Sequence, residues 1–111
     1  MHTIRELFDL SGRTALVTGG SRGLGLQMAE ALGEQGARLL ISARKQDELE
    51  EAVAHLEKLG CQVTACAANL ADKAGVDALA DEALARLGHV DILVNNAGAT
   101  WGAPAEDHPI E

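Results

Sequence analysis

A glycine-rich segment between an apolar run and an amphipathic run constrains the fold of this chain more than any other feature. Residues 18–25 read T-G-G-S-R-G-L-G and follow the apolar run Thr14–Val17, which is typical of a buried parallel strand. The next run, Leu24–Gln35, has apolar residues at helical spacing. Glycines in a strand-to-helix turn let the backbone approach a pyrophosphate, and the helix N-terminus directs N–H groups and the positive end of its dipole toward it. The segment therefore predicts a phosphate-binding loop.

The rest of the chain alternates strand and helix patterns without a break. The predicted strands are about Thr14–Thr18, Arg38–Ser42, Gln62–Ala67 and Asp91–Asn95, and the predicted helices are about Leu24–Gln35, Gln46–Leu59 and a third from the N-cap Asp72 to Leu87. Right-handed crossovers between parallel strands turn this order into an α/β fold, a Rossmann-type doubly wound sheet with strand order 3-2-1-4. We expect residues 1–111 to form one domain.

The apolar residues on each element predict which faces are buried. The predicted buried residues are Leu24, Met28, Ala31 and Leu32 on the first helix, Leu49, Val53, Leu56 and Leu59 on the second, Val76, Leu79, Ala83, Leu84 and Leu87 on the third, and Ile92, Leu93 and Val94 on the fourth strand. Cys61 and Cys66 fall in or near a predicted buried strand. We interpret them as small core residues that stay reduced in the cytoplasm rather than as a metal or redox pair.

Charge and hydropathy exclude two classes of partner. The net charge of −8 would repel the phosphates of a nucleic acid over most of the surface. The longest apolar runs are too short to span a bilayer, and the N-terminus lacks the apolar core of a signal peptide. We therefore expect a cytoplasmic protein with no nucleic-acid or membrane partner and no metal.

The residues around the glycines predict which phosphates are bound. Gly19, Gly23 and Gly25 are the turn, close-approach and packing positions of the loop, and Leu24 lies among them. The Ser21 hydroxyl could donate to a phosphate.

The end of the second strand predicts which dinucleotide is bound. A site for NAD usually has an acidic residue there, but this chain reads Ser42-Ala43-Arg44-Lys45. A guanidinium at Arg44 suits the 2′-phosphate of NADP, and Arg22 could converge on the same phosphate. We therefore expect NADP rather than NAD as the cofactor. The alternative is that Arg44 and Lys45 only occupy the start of a helix, although cations are disfavoured at that position.

Two motifs together resemble those of the short-chain dehydrogenase/reductase family. The first is T-G-x-x-x-G-x-G at Thr18–Gly25, and the second is Asn95-Asn96-Ala97-Gly98 after the fourth predicted strand. The resemblance implies that Asn95 ties the central strands together and that Ala97 and Gly98 leave room for the cofactor.

The resemblance also assigns a role to the residues after the third strand. The family usually has Asp in contact with adenine where this chain has Asn69, followed by Leu70. The Asn69 amide oxygen can accept the same hydrogen bond, although an Asx turn would equally explain the residue.

The resemblance implies a carbonyl–alcohol oxidoreductase whose Ser and Tyr-x-x-x-Lys act on a small-molecule substrate. This chain has no tyrosine, so it contains no catalytic residue by motif. Members of the family are typically about twice as long as this chain, and they are often oligomeric. We therefore expect the chain to be the cofactor-binding N-terminal part of a homo-oligomeric enzyme. This enzyme would be similar to 3-oxoacyl-carrier-protein reductases and gluconate 5-dehydrogenases. If the chain truly ends at Glu111, the alternative is a dinucleotide-binding module without chemistry.

Overall fold

The fold is a four-stranded parallel sheet with helices on both faces. The computed structural model describes residues 9–96. The elements in chain order are β1 (Thr14–Thr18), α1 (Gly23–Glu34), β2 (Arg38–Ala43), α2 (Gln46–Lys58), β3 (Gln62–Ala67), α3 (Lys73–Leu87) and β4 (Ile92–Asn95). The strand order is β3-β2-β1-β4, so the predicted Rossmann-type topology is confirmed. The predicted bounds of β1 and β3 are confirmed, as are the N-cap and the end of α3. Both ends of α1 differ from the prediction by one residue, and β2, α2 and β4 each differ by one residue at one end.

Alternating side chains of the central strands supply two hydrophobic layers. Val17 and Ile41 are fully buried on the face covered by α1 and α2, and Leu16 and Leu40 are buried on the face covered by α3. Strands buried on both faces need continuous apolar sequence, as β1 and β2 have. The register pairs Leu16 of β1 with Leu40 of β2 and Leu93 of β4.

The predicted buried face of α1 is wrong. Gly25, Ala29 and Gly33 face the sheet instead, whereas Leu24 is 60% exposed and Met28 is 36% exposed. The small residues recur every four positions, and they let the helix axis approach β1 closely. Leu32 is half-buried and packs against the hydrophobic layer under α1 and α2.

The other helices follow the predictions more closely. Leu49 and Leu56 of α2 and Leu79, Ala83 and Leu87 of α3 are buried as predicted. Ala52 joins the α2 face and Val53 is half-buried, but Leu59 lies past the end of α2 and is exposed. Val76 and Leu84 of α3 are also exposed, because the face of α3 that meets the sheet is narrower than the apolar pattern suggested.

The edge strand β4 and the two cysteines complete the core. Ile92 and Val94 pack against the layer under α1 and α2, but Leu93 points to the other face and is 63% exposed, so its predicted burial is wrong. Cys61 is buried in the core as predicted, whereas Cys66 is half-buried, and both are free thiols. Burial raises the pKa of both thiols, and nearby carboxylates raise it further. A raised pKa disfavours the reactive thiolate, which fits a packing role.

Candidate functional site

The predicted site residues lie at one edge of the sheet. Because all strands are parallel, the carboxyl ends of β1, β2, β3 and β4 meet there, and this edge is where open α/β sheets bind ligands. The predicted residues that the structure brings to this edge are Gly19, Ser21, Arg22, Gly23, Leu24, Gly25, Arg44, Asn69, Leu70 and Asn95. Ala97 and Gly98 lie outside the described residues.

The loop between β1 and α1 is anchored to the end of β2. The backbone N–H groups of Gly19 and Gly20 donate to the Ser42 carbonyl oxygen at 2.7 and 3.1 Å. Gly19 and Gly23 have φ angles of +66° and +60°, which residues with a side chain rarely adopt. The loop conformation therefore depends on glycine at both positions.

Gly25 brings the start of α1 into close contact with this loop. A Cβ atom built on Gly25 would lie 2.0 Å from the Gly19 carbonyl oxygen and 2.8 Å from Asn96 Nδ2. Such distances are impossible for real atoms, so any side chain would force the loop away from the helix. Gly25 therefore holds the loop directly over the helix N-terminus.

The positive end of the α1 helix dipole, at its N-terminus, is available to bind an anion. Its N-cap residue is Arg22, whose side chain makes no capping hydrogen bond, and the first turn contains no acidic residue. Helix N-termini without internal caps bind phosphates readily, because several N–H groups point outward. Leu24 is exposed in the same first turn, beside this positive end. The loop and helix therefore fit a phosphate-bearing ligand.

A group of basic side chains lies next to the loop. Arg22 and Lys45 expose 73% and 66% of their side chains, and Arg44 is also exposed. Among residues 9–96, no carboxylate forms an ion pair with Arg44. The predicted basic positions are thus accessible at the end of β2.

The sequence reasoning missed Glu48, which connects the loop to these basic residues. The Ser21 hydroxyl donates to Glu48 Oε1 at 3.3 Å, and both Arg22 Nη1 and Lys45 Nζ lie 3.9 Å from Glu48 Oε2. Its position in the first turn of α2, after two cations, is the signal that could have identified it, because acidic residues favour helix N-termini. The hydroxyl predicted to meet a phosphate therefore donates to a carboxylate in this structure.

Asn69 and Leu70 follow β3 in a tight turn. The Asn69 amide oxygen accepts a hydrogen bond from Ala71 N–H at 3.0 Å, which is the Asx turn that the sequence left open as an alternative. This oxygen has a second lone pair, so the predicted adenine contact stays a prediction. The side chain of Leu70 packs against the layer under α3.

Gly75, which the sequence reasoning also missed, brings the start of α3 against this turn. A Cβ atom on Gly75 would lie 1.7 Å from the Asn69 carbonyl oxygen. The Gly75 N–H donates to the predicted N-cap, Asp72, at 2.8 Å. A glycine in a first helical turn, where Ala would be intrinsically better, is the signal for such a contact.

The segment after β4 is tied to β1 through Thr18. Asn96 N–H donates to Thr18 Oγ1 at 2.9 Å, and Thr18 Oγ1 lies 3.1 Å from Asn95 Oδ1. Asn96 Nδ2 lies 3.5 Å from the Gly19 carbonyl oxygen, so this residue also contacts the glycine loop. The structure thus places Asn95 at the junction of β1 and β4, and it adds Asn96 to that junction.

The part of the chain that the structure describes lacks the features of a metal site and of a membrane span. Residues 9–96 contain no group of three or more His, Cys, Asp or Glu side chains arranged to hold a metal ion. Across the same residues, no helix is both long enough and apolar enough to cross a bilayer.

Comparison with known proteins identifies the family. The family model described as short chain dehydrogenase matches residues 13–111. The chain belongs to the short-chain dehydrogenase family. The resemblance inferred from the two glycine-containing motifs is therefore confirmed.

Relatives and solved structures agree with this assignment. The chain is 48% identical over 105 residues to the rhamnolipids biosynthesis 3-oxoacyl-[acyl-carrier-protein] reductase of Pseudomonas aeruginosa, covering 93% of this chain and 40% of that protein. It is 39% identical over 104 residues to the gluconate 5-dehydrogenase of Gluconobacter oxydans, covering 92% of this chain and 40% of that protein. The crystal structure of L-sorbose reductase from Gluconobacter frateurii with NADPH and L-sorbose superposes with a TM-score of 0.80 at 39% identity, covering 90% of this chain and 38% of that one. The chain thus spans about two fifths of the length of these relatives, since the shares are 40%, 40% and 38%.

Proposed function

We propose that this chain is the dinucleotide-binding part of an NADP(H)-dependent oxidoreductase that interconverts a carbonyl and a secondary alcohol. The observation that carries the proposal is the glycine loop over an uncapped helix N-terminus, beside exposed basic side chains at the end of β2. In this proposal, residues 1–111 form the N-terminal part of a single Rossmann-type domain.

The pyrophosphate would be held by backbone groups rather than by side chains. Gly19, Gly23 and Gly25 form the turn that admits it, and the N–H groups of the first turn of α1 point toward it. Leu24 would lie against the bound cofactor, because it is exposed in that turn. Ser21 would add a hydroxyl donor once it is released from Glu48.

The adenosine half would decide between NADP and NAD. Arg44 lies at the end of β2, where an NAD site usually has an acidic residue that binds the ribose hydroxyls. A guanidinium instead matches the geometry of a 2′-phosphate, and Arg22 supplies a second one from the loop. NADP is therefore the preferred cofactor of the proposal.

The remaining site residues would shape the groove around the cofactor. Asn69 and Leu70 follow β3, where the adenine ring would lie. Asn95, held at the end of β4, would tie this strand to β1, and the small residues Ala97 and Gly98 would leave room for the cofactor.

When bound, the nicotinamide would supply or accept the hydride of the reaction. This chain would bind and orient the cofactor, and with no tyrosine among its 111 residues it would need the Tyr and Lys of a longer protein for proton transfer. The names of the relatives, which include a 3-oxoacyl reductase and a gluconate dehydrogenase, support a small carbonyl or alcohol substrate. A homo-oligomer in the cytoplasm completes the proposal, and the two free cysteines agree with a reducing compartment.

The test of the cofactor assignment is calorimetric titration with the adenosine-half fragments 2′,5′-ADP and 5′-AMP. The chain should bind 2′,5′-ADP more tightly, and Arg44→Ala should weaken that binding about tenfold, because a charge-assisted contact to phosphate is lost. Binding of 5′-AMP should change little. Lys58→Ala, which removes an exposed cation at the far end of α2, is the matched control. An affinity for 2′,5′-ADP that is the same with and without Arg44 would refute the role of this residue.

A second candidate function is a binding module that holds a dinucleotide without chemistry. The absence of tyrosine from the chain favours it over an enzyme made of these residues alone. The intact mass of the protein from its natural source, together with an assay of ketone-dependent NADPH oxidation, separates the two. A mass near that of the 111 residues, 11.6 kDa, with binding but no oxidation would support the module. A larger mass with oxidation would support the enzyme.

A further inference from the structure

We propose that Glu48 is a specificity-determining residue that weakens the preference for NADP over NAD. This inference rests on the proposed function, since it concerns the same adenosine site. The residues at the end of β2 include no carboxylate where an NAD site usually has one. The start of α2 nevertheless places the carboxylate of Glu48 next to the basic side chains.

The contacts of Glu48 place it within the basic cluster rather than at its border. The carboxylate accepts a hydrogen bond from Ser21 and lies 3.9 Å from both Arg22 Nη1 and Lys45 Nζ. These partners come from two separate segments, the glycine loop and the start of α2. Glu48 is also the most shielded member of these ion pairs, with 26% of its side chain exposed against 73% for Arg22 and 66% for Lys45.

This placement has opposite consequences for the two cofactors. A 2′-phosphate, which has a charge of about −1.5 to −2 near neutral pH, would be attracted by Arg22, Arg44 and Lys45 but repelled by Glu48. It would also have to compete with Glu48 for Arg22 and Lys45. A ribose 2′-hydroxyl, in contrast, can donate to a carboxylate. Glu48 therefore lowers the affinity for a 2′-phosphate relative to a 2′-hydroxyl.

Glu48 also stabilises the start of α2, and a purely structural role is the competing explanation. Acidic residues in the first turn, here Asp47 and Glu48, interact favourably with the helix dipole. A structural role predicts that replacing Glu48 changes the affinities for both ligands in parallel. A role in specificity predicts that the ratio of the two affinities changes.

The decisive variant is Glu48→Gln, which removes the charge but keeps an oxygen that can accept from Ser21. Titration of the full chain with 2′,5′-ADP and with 5′-AMP at equal ionic strength should show the 2′,5′-ADP affinity rising about three- to tenfold, as expected for removing one like charge at a partly exposed site. The affinity for 5′-AMP should stay equal or fall. Glu57→Gln, an exposed position near the other end of α2, makes the same change in net charge and should leave the ratio of affinities within about twofold of the original.

Added salt separates an electrostatic effect from a change of local structure. The gain from Glu48→Gln should shrink as the salt concentration rises from about 0.05 to 0.5 M, because mobile ions screen the removed repulsion. A ratio that stays at the original value, or affinities for both ligands that change together and independently of salt, would overturn the inference. If the proposed function itself were wrong, the results would differ from these. The original chain would then bind 2′,5′-ADP no better than 5′-AMP, and Arg44→Ala would not change the affinity for 2′,5′-ADP.

Discussion

The hydroxyl of Thr18 receives a hydrogen bond from the backbone N–H of Asn96 at 2.9 Å, across 78 residues of sequence. Thr18 is 4% exposed at the end of β1, and its Oγ1 also lies 3.3 Å from the Val94 carbonyl oxygen and 3.1 Å from Asn95 Oδ1. One buried hydroxyl thus fixes the end of β4 and the residue after it against the strand that leads into the glycine loop. The two family motifs are joined through this contact.

Replacing Thr18 by Val should destabilise the chain by about 1–3 kcal/mol, because the Asn96 N–H loses a buried acceptor while the shape of the side chain is kept. Urea unfolding measures the free-energy change, and hydrogen exchange measured by NMR reports on the Asn96 amide itself. We expect the exchange of this amide to become faster in Thr18→Val.

Thr18→Ser is the control for this prediction, because it keeps the hydroxyl and removes only a methyl group. The Asn96 amide should remain protected in Thr18→Ser even if the global stability falls by about 1 kcal/mol from the lost packing. Equal exchange of this amide in the original chain and in Thr18→Val would show that the hydroxyl does not hold the segment.

Replacing Gly25 by Ala should destabilise the chain by about 1–3 kcal/mol, although Ala is intrinsically the better helix residue by about 1 kcal/mol. The reason is that the new Cβ would lie 2.0 Å from the Gly19 carbonyl oxygen. The loop has to move away from α1, so the affinity for 2′,5′-ADP should fall more than about tenfold. Chemical unfolding and calorimetric titration measure the two effects.

A suitable control for Gly25→Ala is Gly60→Ala. Gly60 has a φ angle of +86°, and a Cβ atom there would meet nothing within 4 Å. Alanine at this position should cost about 1–2 kcal/mol through backbone strain alone and leave ligand binding unchanged. If Gly25→Ala instead stabilised the chain, the close contact between the loop and the helix would be refuted.

The sequence was sufficient to predict the topology and the location of the site. Apolar runs such as Leu16-Val17 and Leu39–Ile41 predict buried strands, and the glycine-rich segment Thr18–Gly25 predicts where the first strand passes into a helix. The strand order then follows from the handedness of the crossovers, which is a general property of parallel sheets. These features depend on local pattern and chain connectivity, and so they can be inferred without coordinates.

The errors come from contacts between distant parts of the chain. Small residues, Gly25 and Ala29, face the sheet because α1 packs closely on β1, whereas the larger Leu24 and Met28 lie outside. A hydrophobicity pattern ranks large side chains as buried and cannot represent how closely two elements approach. Glu48 was missed for a similar reason, since its partners in the glycine loop are 26 and 27 residues away in sequence.

Asp91 provides a pH-dependent connection at the opposite end of β1. Its Oδ2 atom accepts a hydrogen bond from the Thr14 N–H at 2.9 Å and lies 3.0 Å from His89 Nε2. The hydrogen bond from Thr14 holds the pKa of the Asp91 carboxyl below its ordinary value of 3.8, and His89 and Arg13 lower it further. Because the pKa is lower in the folded chain than in the unfolded chain, the ionised form stabilises the fold.

The stabilisation from Asp91 should be fully present above about pH 4 and should disappear as the pH falls through the lowered pKa of the folded chain. Asp91→Asn should therefore lower the urea midpoint near neutral pH, and its difference from the original chain should shrink as the pH is lowered from about 6 to about 2.5. Urea unfolding at a series of pH values, followed by circular dichroism, measures this difference. Asp81→Asn is the charge-matched control, because Asp81 is an exposed residue of α3 whose side chain forms no hydrogen bond or ion pair with the sheet among residues 9–96. The difference between Asp81→Asn and the original chain should not follow the same course. A difference between the original chain and Asp91→Asn that is constant over the whole range would mean that the Thr14–Asp91 contact does not depend on the ionised carboxylate.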